Sequence, residues 1–168
     1  MGSFLIMPKL SNTLLLICSL LLTQELFAAS LSGRPSSIIS GDKLVLTTDD
    51  NQHIQIQLLG IKAPPLSTAM GRAAKKRLSA LVAGKPILVN FRVRNRWGHP
   101  IGKVVLGETD INLQLLSIGL ASHRPDFQTV LDNSLYSQAT QRAKQHKLGI
   151  WALSNRPRQP IKSFVTNR

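Results

Sequence analysis

The chain has 168 residues, 43% of them hydrophobic and 17% charged, enough to bury the core of one compact domain and too few for two. Lysine and arginine outnumber aspartate and glutamate by 21 to 8, a net charge of +13. A field of that size favours polyanionic partners such as nucleic acid, anionic lipid or acidic cell-wall polymer, without choosing among them.

Residues 1–30 read as a secretory signal peptide: Met1 to Lys9 carries one positive charge, Leu14 to Leu22 is almost wholly apolar, and Phe27-Ala28-Ala29-Ser30 supplies small residues. The apolar run is shorter than the roughly 20 residues a permanent membrane helix needs, so cleavage near Ala29 or Ser30 is expected, with no stable membrane anchor afterwards. Met7 is an equally good start. Ile17 stands where a lipobox before Cys18 places a small residue, so Cys18 is assigned to the discarded leader. The mature chain then has no cysteine, hence no disulfide and no thiolate chemistry, although it leaves the reducing cytoplasm. Cleavage removes Lys9 and Glu25, one charge of each sign, so the net charge stays at +13.

From Ser36 the chain has strand character. Ile38-Ile39, a break at Ser40-Gly41-Asp42, Leu44-Val45-Leu46, a turn over residues 47–52, and then Ile54, Ile56 and Leu58 alternating with glutamines predict a meander over 38–59. Ser67 to Val82 changes to a helical period, with Met70, Ala73, Ala74, Leu78, Leu81 and Val82 on one face. Ser67 is placed as the cap and Gly84 as the terminator. Ile87, Val89, Phe91 and Val93 define the clearest strand, and a turn at residues 96–100 leads into a further strand, Ile101 to Leu106. Helices are predicted from Ile111 to Leu120 and from Leu135 to Leu148, with Trp151 folding back as an apolar plug. The remainder, 153–168, is basic, proline-containing and without period, and is assigned as a flexible tail. Five strands with a helix between the third and fourth suit a small closed β-barrel of the OB type, an α+β fold with about three helices outside, over residues 36–152.

Ser40-Gly41-Asp42, the run Gln57-Leu58-Leu59-Gly60-Ile61-Lys62-Ala63-Pro64-Pro65, Asn95-Arg96-Trp97-Gly98-His99, Asn112 to Ala121 and Ala143 to Trp151 together resemble the staphylococcal nuclease-like (thermonuclease) family. The resemblance implies a five-stranded OB barrel with three helices, periplasmic or secreted, and hydrolysis of DNA and RNA phosphodiesters with a bound calcium ion. In that family two aspartates hold the cation, a glutamate serves the attacking water, and two arginines neutralise charge on the phosphorane.

Carried over position by position, most of that machinery is replaced. Asp42 keeps one metal aspartate, whereas Ser40 replaces its outer neighbour and Lys62 stands at the second metal aspartate. Gln57 stands at the first arginine, Pro65 at the catalytic glutamate, His99 at the second arginine, Asn95 at the aspartate of the third motif and Trp97 at its tyrosine. One carboxylate beside an ammonium is a poor calcium site, so no metal site is expected. His99 neutralises charge only in its protonated form, and no catalysis by the family's mechanism is expected. A replacement chemistry with His99 as base and Lys62 as clamp beside Asp42 is less economical than three surface residues, because a lone histidine on a turn lacks an orienting partner. Asp42 itself also suits a Gly-Asp turn without any metal.

Arg92, Arg94 and Arg96 recur every second residue, so they are expected to project from one side of a strand about 7 Å apart. With Trp97 next in line they form a candidate face for single-stranded nucleic acid, read through phosphates and stacking, which Arg72, Lys75 and Lys76 extend. The competing reading is a solvated charged face with Trp97 packed under a turn. The expectation is an exported, catalytically degenerate barrel that binds nucleic acid or another polyanion. The alternatives are an active calcium-dependent phosphodiesterase with a rearranged site and a periplasmic protein-interaction module. The sequence leaves the oligomeric state open.

Overall fold

A computed structural model describes residues 29–125 and 130–152; the tail from residue 153, and all of the expected leader but Ala29 and Ser30, lie outside them. Along the chain run β1 (Ala29–Ser40), β2 (Lys43–Thr48), β3 (His53–Leu58), β4 (Ile61–Lys62), α1 (Ala69–Val82), β5 (Ile87–Arg94), β6 (Pro100–Leu106), β7 (Thr109–Asp110), α2 (Ile111–Ser117), β8 (Ser122–His123), α3 (Val130–Gln145) and a 3₁₀ turn, Gly149–Trp151. The long strands lie in the order β3-β2-β1-β5-β6, antiparallel throughout, and β3 then meets β6 in parallel, with Gln57 opposite Ile101 and Leu58 opposite Gly102. The result is the expected five-stranded barrel with three helices.

The alternation read from the sequence fills its interior. Leu44 and Leu46 of β2, Ile56 and Leu58 of β3, Val89 of β5 and Val104 of β6 are buried together, and Leu78 and Val82 of α1 and Leu115 and Leu116 of α2 cover them. β1 starts at Ala29, seven residues before the expected Ser36. Ala29 and Ser30, assigned to the end of the leader, pair with Phe91 and Asn90. The early start is invisible in Ser-Gly-Arg-Pro-Ser because the strand changes partner there: Gly33 pairs with both Thr48 and Ile87. A Cβ on Gly33 would come within 2.2 Å of the Thr47 carbonyl oxygen, so only glycine makes this corner.

Helix bounds shift for local reasons. Thr68, not Ser67, caps α1: its Oγ1 accepts from the Gly71 amide at 3.0 Å and donates to the Pro65 carbonyl at 2.8 Å. α2 stops at Ser117, three residues before the expected end, and Gly119 turns the chain at φ +71°. α3 begins at Val130, five residues early. Trp151 is half-buried, with the Lys144 ammonium 4.6 Å from its ring centre.

Two polar assemblies hold the helices to the barrel. Asn112 of α2 is wholly buried; its Oδ1 accepts from the Val104 amide (3.1 Å), and its Nδ2 donates to the carbonyls of Leu59 (2.9 Å) and Gly102 (3.2 Å). It therefore ties α2 to the parallel seam where β3 and β6 close the barrel. The second assembly docks α3. Asp132 meets the Lys103 ammonium of β6 at 2.5 Å. The buried Tyr136 donates to Asp110 Oδ2 at 2.8 Å, and Asp110 in turn caps α2 by accepting from the Leu113 amide at 2.9 Å. Burial holds the Asp110 carboxyl above its ordinary range despite the Leu113 amide, Tyr136 and Lys103, which pull the other way. Burial, reinforced by Asp110, pushes the Tyr136 phenol strongly upward.

Truncating Asn112 to Ala takes the side-chain partner from the Val104 amide and the Leu59 carbonyl, while the Gly102 carbonyl keeps the Leu59 amide, and should cost about 3 kcal/mol of unfolding free energy in urea titration with little change in slope. Asp110 gives a signed pH dependence. Its folded pKa is raised, so the native chain keeps a proton that the unfolded chain releases above 3.8. The stability it contributes is complete below that value and is lost as pH rises through the raised one. Asp110→Asn, which retains the cap, should flatten this part of the stability curve in denaturation series run upward from pH 3.8.

Candidate nucleic-acid interface

Between the end of β3, the start of β4 and the β5–β6 turn lies a cleft of about 540 Å³, with Gln57, Arg94, Asn95, Arg96, Trp97 and Arg124 among the residues that line it. The turn is rigidly built. Asn95 Oδ1 accepts from the amides of Trp97 (3.0 Å) and His99 (3.1 Å), and Arg94 donates to the Gly98 carbonyl at 2.8 Å. Gly98, at φ +82°, completes it. The Arg96 guanidinium lies 4.1 Å from the Trp97 ring centre, and the indole remains 63% exposed. Trp97 is thus held out beside a cation, not packed under the turn.

The positions that the resemblance marks for catalysis have taken on structural work. Asp42 Oδ1 accepts from the Ser40 hydroxyl (2.6 Å) and Oδ2 from the Ala63 amide (3.1 Å), so the carboxylate fastens the β1–β2 turn to the loop after β3. Pro65 is exposed, and its carbonyl receives the amide and hydroxyl of Thr68 at the start of α1. Lys62 is an exposed β4 residue paired with Ser122 of β8. His99 is half-buried, its amide bound to Asn95. Of Asp42, Gln57, Lys62, Pro65 and His99, Gln57 alone lines the cleft.

This donor set does not fit calcium, which takes six to eight oxygen ligands. The one carboxylate already accepts two protein hydrogen bonds, and Lys62 puts an ammonium where a second carboxylate is needed. Among the described residues no three of His, Cys, Asp and Glu gather in a metal-binding group. Among the described residues no carboxylate or imidazole lines the cleft. Its residues can neutralise phosphate charge with guanidinium groups, hydrogen-bond through the Gln57 and Asn95 amides, and stack on the indole.

The expected arginine stripe is divided. β5 pairs Phe91 with Gly102 and Val93 with the adjacent Ile101, which makes Arg92 the extra residue of a β-bulge and breaks the alternation. Arg94 and Arg96 line the cleft and Arg92 does not; Arg72, Lys75 and Lys76 line a separate depression along α1. Arg124 was not identified from the sequence. It follows the two-residue β8, and its amide donates to the Gly60 carbonyl at 2.8 Å, which brings it to the cleft. So short a strand leaves no periodic signal.

The family model for the staphylococcal nuclease homologue matches residues 55–153, a span that contains Gln57, the β5–β6 turn, Asn112 and Arg124. The chain is 31% identical over 159 residues to an uncharacterized endonuclease of Haemophilus influenzae, an alignment covering 89% of this chain and 84% of that protein. An uncharacterized endonuclease of Escherichia coli O157:H7 is 28% identical over 130 residues (74% and 79% of the two chains). A probable staphylococcal-like nuclease of Oryza sativa subsp. japonica is 27% identical over 124 residues, 72% of this chain and 32% of that protein. With a closed five-stranded barrel, the Asn112 seam and the matched span in agreement, the chain belongs to the staphylococcal nuclease family.

Proposed function

We propose that this chain is an exported member of its family that binds single-stranded nucleic acid, or a polyanion of similar charge spacing, without cleaving it. The observation that carries the reading is the composition of the cleft: among the described residues that line it are three arginines, two amides and an exposed indole, and no carboxylate. Phosphodiester oxygens are met by Arg94, Arg96 and Arg124, and one base stacks on Trp97. Hydrolysis would require a group to deliver water to phosphorus and stabilisation of the pentacoordinate state. Guanidinium groups offer the second and not the first, since arginine does not release its proton in proteins. Export rests on the leader-like composition of residues 1–30.

A second reading, an active endonuclease, is favoured by the names of the bacterial relatives whose lengths the chain largely spans. It requires a water-activating group from outside the described lining of the cleft.

The two readings separate in one experiment: fluorescent single-stranded DNA titrated with the protein in calcium or in chelator, reading anisotropy and fragment length together. Intact DNA with salt-sensitive anisotropy is expected. Calcium-dependent fragments that vanish on Asp42→Ala would establish the endonuclease, whereas on the binding reading that substitution lowers stability and leaves DNA affinity unchanged. Arg94→Ala should reduce the salt slope by about 0.7 for each phosphate that the protein no longer neutralises. Trp97→Ala should cost about 1–3 kcal/mol of binding, the range for one stacked base. Unchanged titrations for both would remove the cleft from the account.

A further inference from the structure

Arg72, Lys75, Lys76, Ser79 and Ala80 recur at helical spacing along α1 and so share one face. With Ile38 of β1 they line an open depression of about 570 Å³. Ser79 and Ala80 leave room for a ligand, while the three cations supply charge. α1 has no acidic residue in its length, and the ion pairs of Lys103 with Asp110 and Asp132 lie away from this face. Among the described residues no aromatic side chain lines the depression. Such a surface can hold phosphates and offers no described ring on which to stack a base.

A series of close approaches joins this depression to the cleft. A Cβ on Gly41 would come within 2.4 Å of the Ala74 Cβ and 2.8 Å of the Ala63 Cβ, so the β1–β2 turn lies directly against α1 and the loop after β3. Next in the chain, Asp42 accepts from the Leu58 amide through its carbonyl and from the Ala63 amide through its carboxylate. Lys43 then stands opposite Gln57, which lines the cleft. Lys43 is half-buried and Lys62 exposed, so two further cations fall in the stretch between the two concave surfaces.

We propose that the depression on α1 is a second phosphate-backbone site, and that with the cleft it forms one cationic track, by way of Lys43 and Lys62, for a single nucleic-acid strand too long for the cleft alone. The proposal rests on the reading of the cleft as a nucleic-acid site. A lipid surface fits the depression less well. The exposed large apolar side chains, Leu66, Leu88, Trp97, Leu135 and Leu148, all lie outside its lining, and interfacial binding draws on apolar insertion as well as charge.

The test compares oligothymidylates of about four and about sixteen nucleotides by anisotropy across a salt series, using the protein, Lys75→Gln/Lys76→Gln, Lys76→Gln alone, Arg94→Ala, and Lys144→Gln/Lys147→Gln as a charge-matched control near the end of α3. The unaltered protein should bind the longer strand at least about tenfold more tightly and with a steeper salt slope, as expected when a second site is engaged on the same molecule. Lys75→Gln/Lys76→Gln should lose that gain while binding the short strand normally, and Lys76→Gln should lose part of it. Arg94→Ala should weaken both lengths, and the control should keep the gain. The proposal is overturned if the Lys75/Lys76 variant keeps the length gain, if it weakens both lengths equally, or if the control loses as much. Pelleting with phosphatidylglycerol vesicles that depends on Lys75 and Lys76 while the length gain does not would also overturn it, assigning the face to lipid. Binding of the short strand with no length gain refutes the track alone, whereas binding of neither strand refutes the cleft reading and the track with it.

Discussion

The barrel is closed by its shortest ladder. β3 and β6 run parallel and share two residue pairs, too few to fix a register by backbone hydrogen bonding alone. The Asn112 side chain supplies what the ladder lacks, occupying the Val104 amide and the Leu59 and Gly102 carbonyls from inside the protein. A buried amide with every partner in place specifies one arrangement, because a slip leaves its own oxygen and nitrogen without those partners in an apolar surround. The cleft depends on this seam directly. Gln57 and Ile101, one of the two parallel pairs, both line it, and Leu59, bound to Asn112, opens the loop that leads to Gly60 and Ile61.

That loop carries structural contacts at two of the positions marked by the sequence resemblance. Asp42 commits both oxygens to the Ser40 hydroxyl and the Ala63 amide, and Pro65 directs its carbonyl to the cap of α1. Each residue sits at a position that the sequence resemblance marks for catalysis, and each makes a structural contact there. Proline at 65 has a fixed φ and no amide hydrogen to satisfy, which suits a position just before a helix cap. The loop is further held by β4 on β8. The cleft wall is therefore preorganised, and a preorganised wall serves a binding surface as well as it serves an active site.

Charge is distributed unevenly. Among the described residues, Asp110 and Asp132 are committed to Lys103 and Tyr136 between the barrel and α3, and Asp42 to its own turn. Asp49 and Asp50 accept from neighbours in and around the β2–β3 turn. Among the described residues Glu108 is the acidic group left over, and no described carboxylate lines the cleft or the depression on α1, so the described lining of both concave surfaces is positive. Those surfaces are where a field is most effective, since low-dielectric walls focus it.

Sequence pattern placed the five long strands except for the first seven residues of β1, because a strand with one face in the core alternates, as Ile54 to Leu58 and Ile87 to Phe91 do. It also determined the buried face of α1 from Ala74 through Val82. The family resemblance was equally legible, since it is carried by residue identity at spaced motifs. The tertiary structure decided the rest. β4, β7 and β8 have two residues each, shorter than any repeat that periodicity can detect, and β8 is what delivers Arg124 to the cleft. The bulge at Arg92 depends on the register of β6, which no local pattern in β5 encodes. The use of Asp42 and Pro65 as fasteners depends on groups such as Ala63, 21 residues away from Asp42. A sequence records its own periods and residue types, whereas a site is assembled from hydrogen bonds and registers between distant segments that exist only after the barrel has closed.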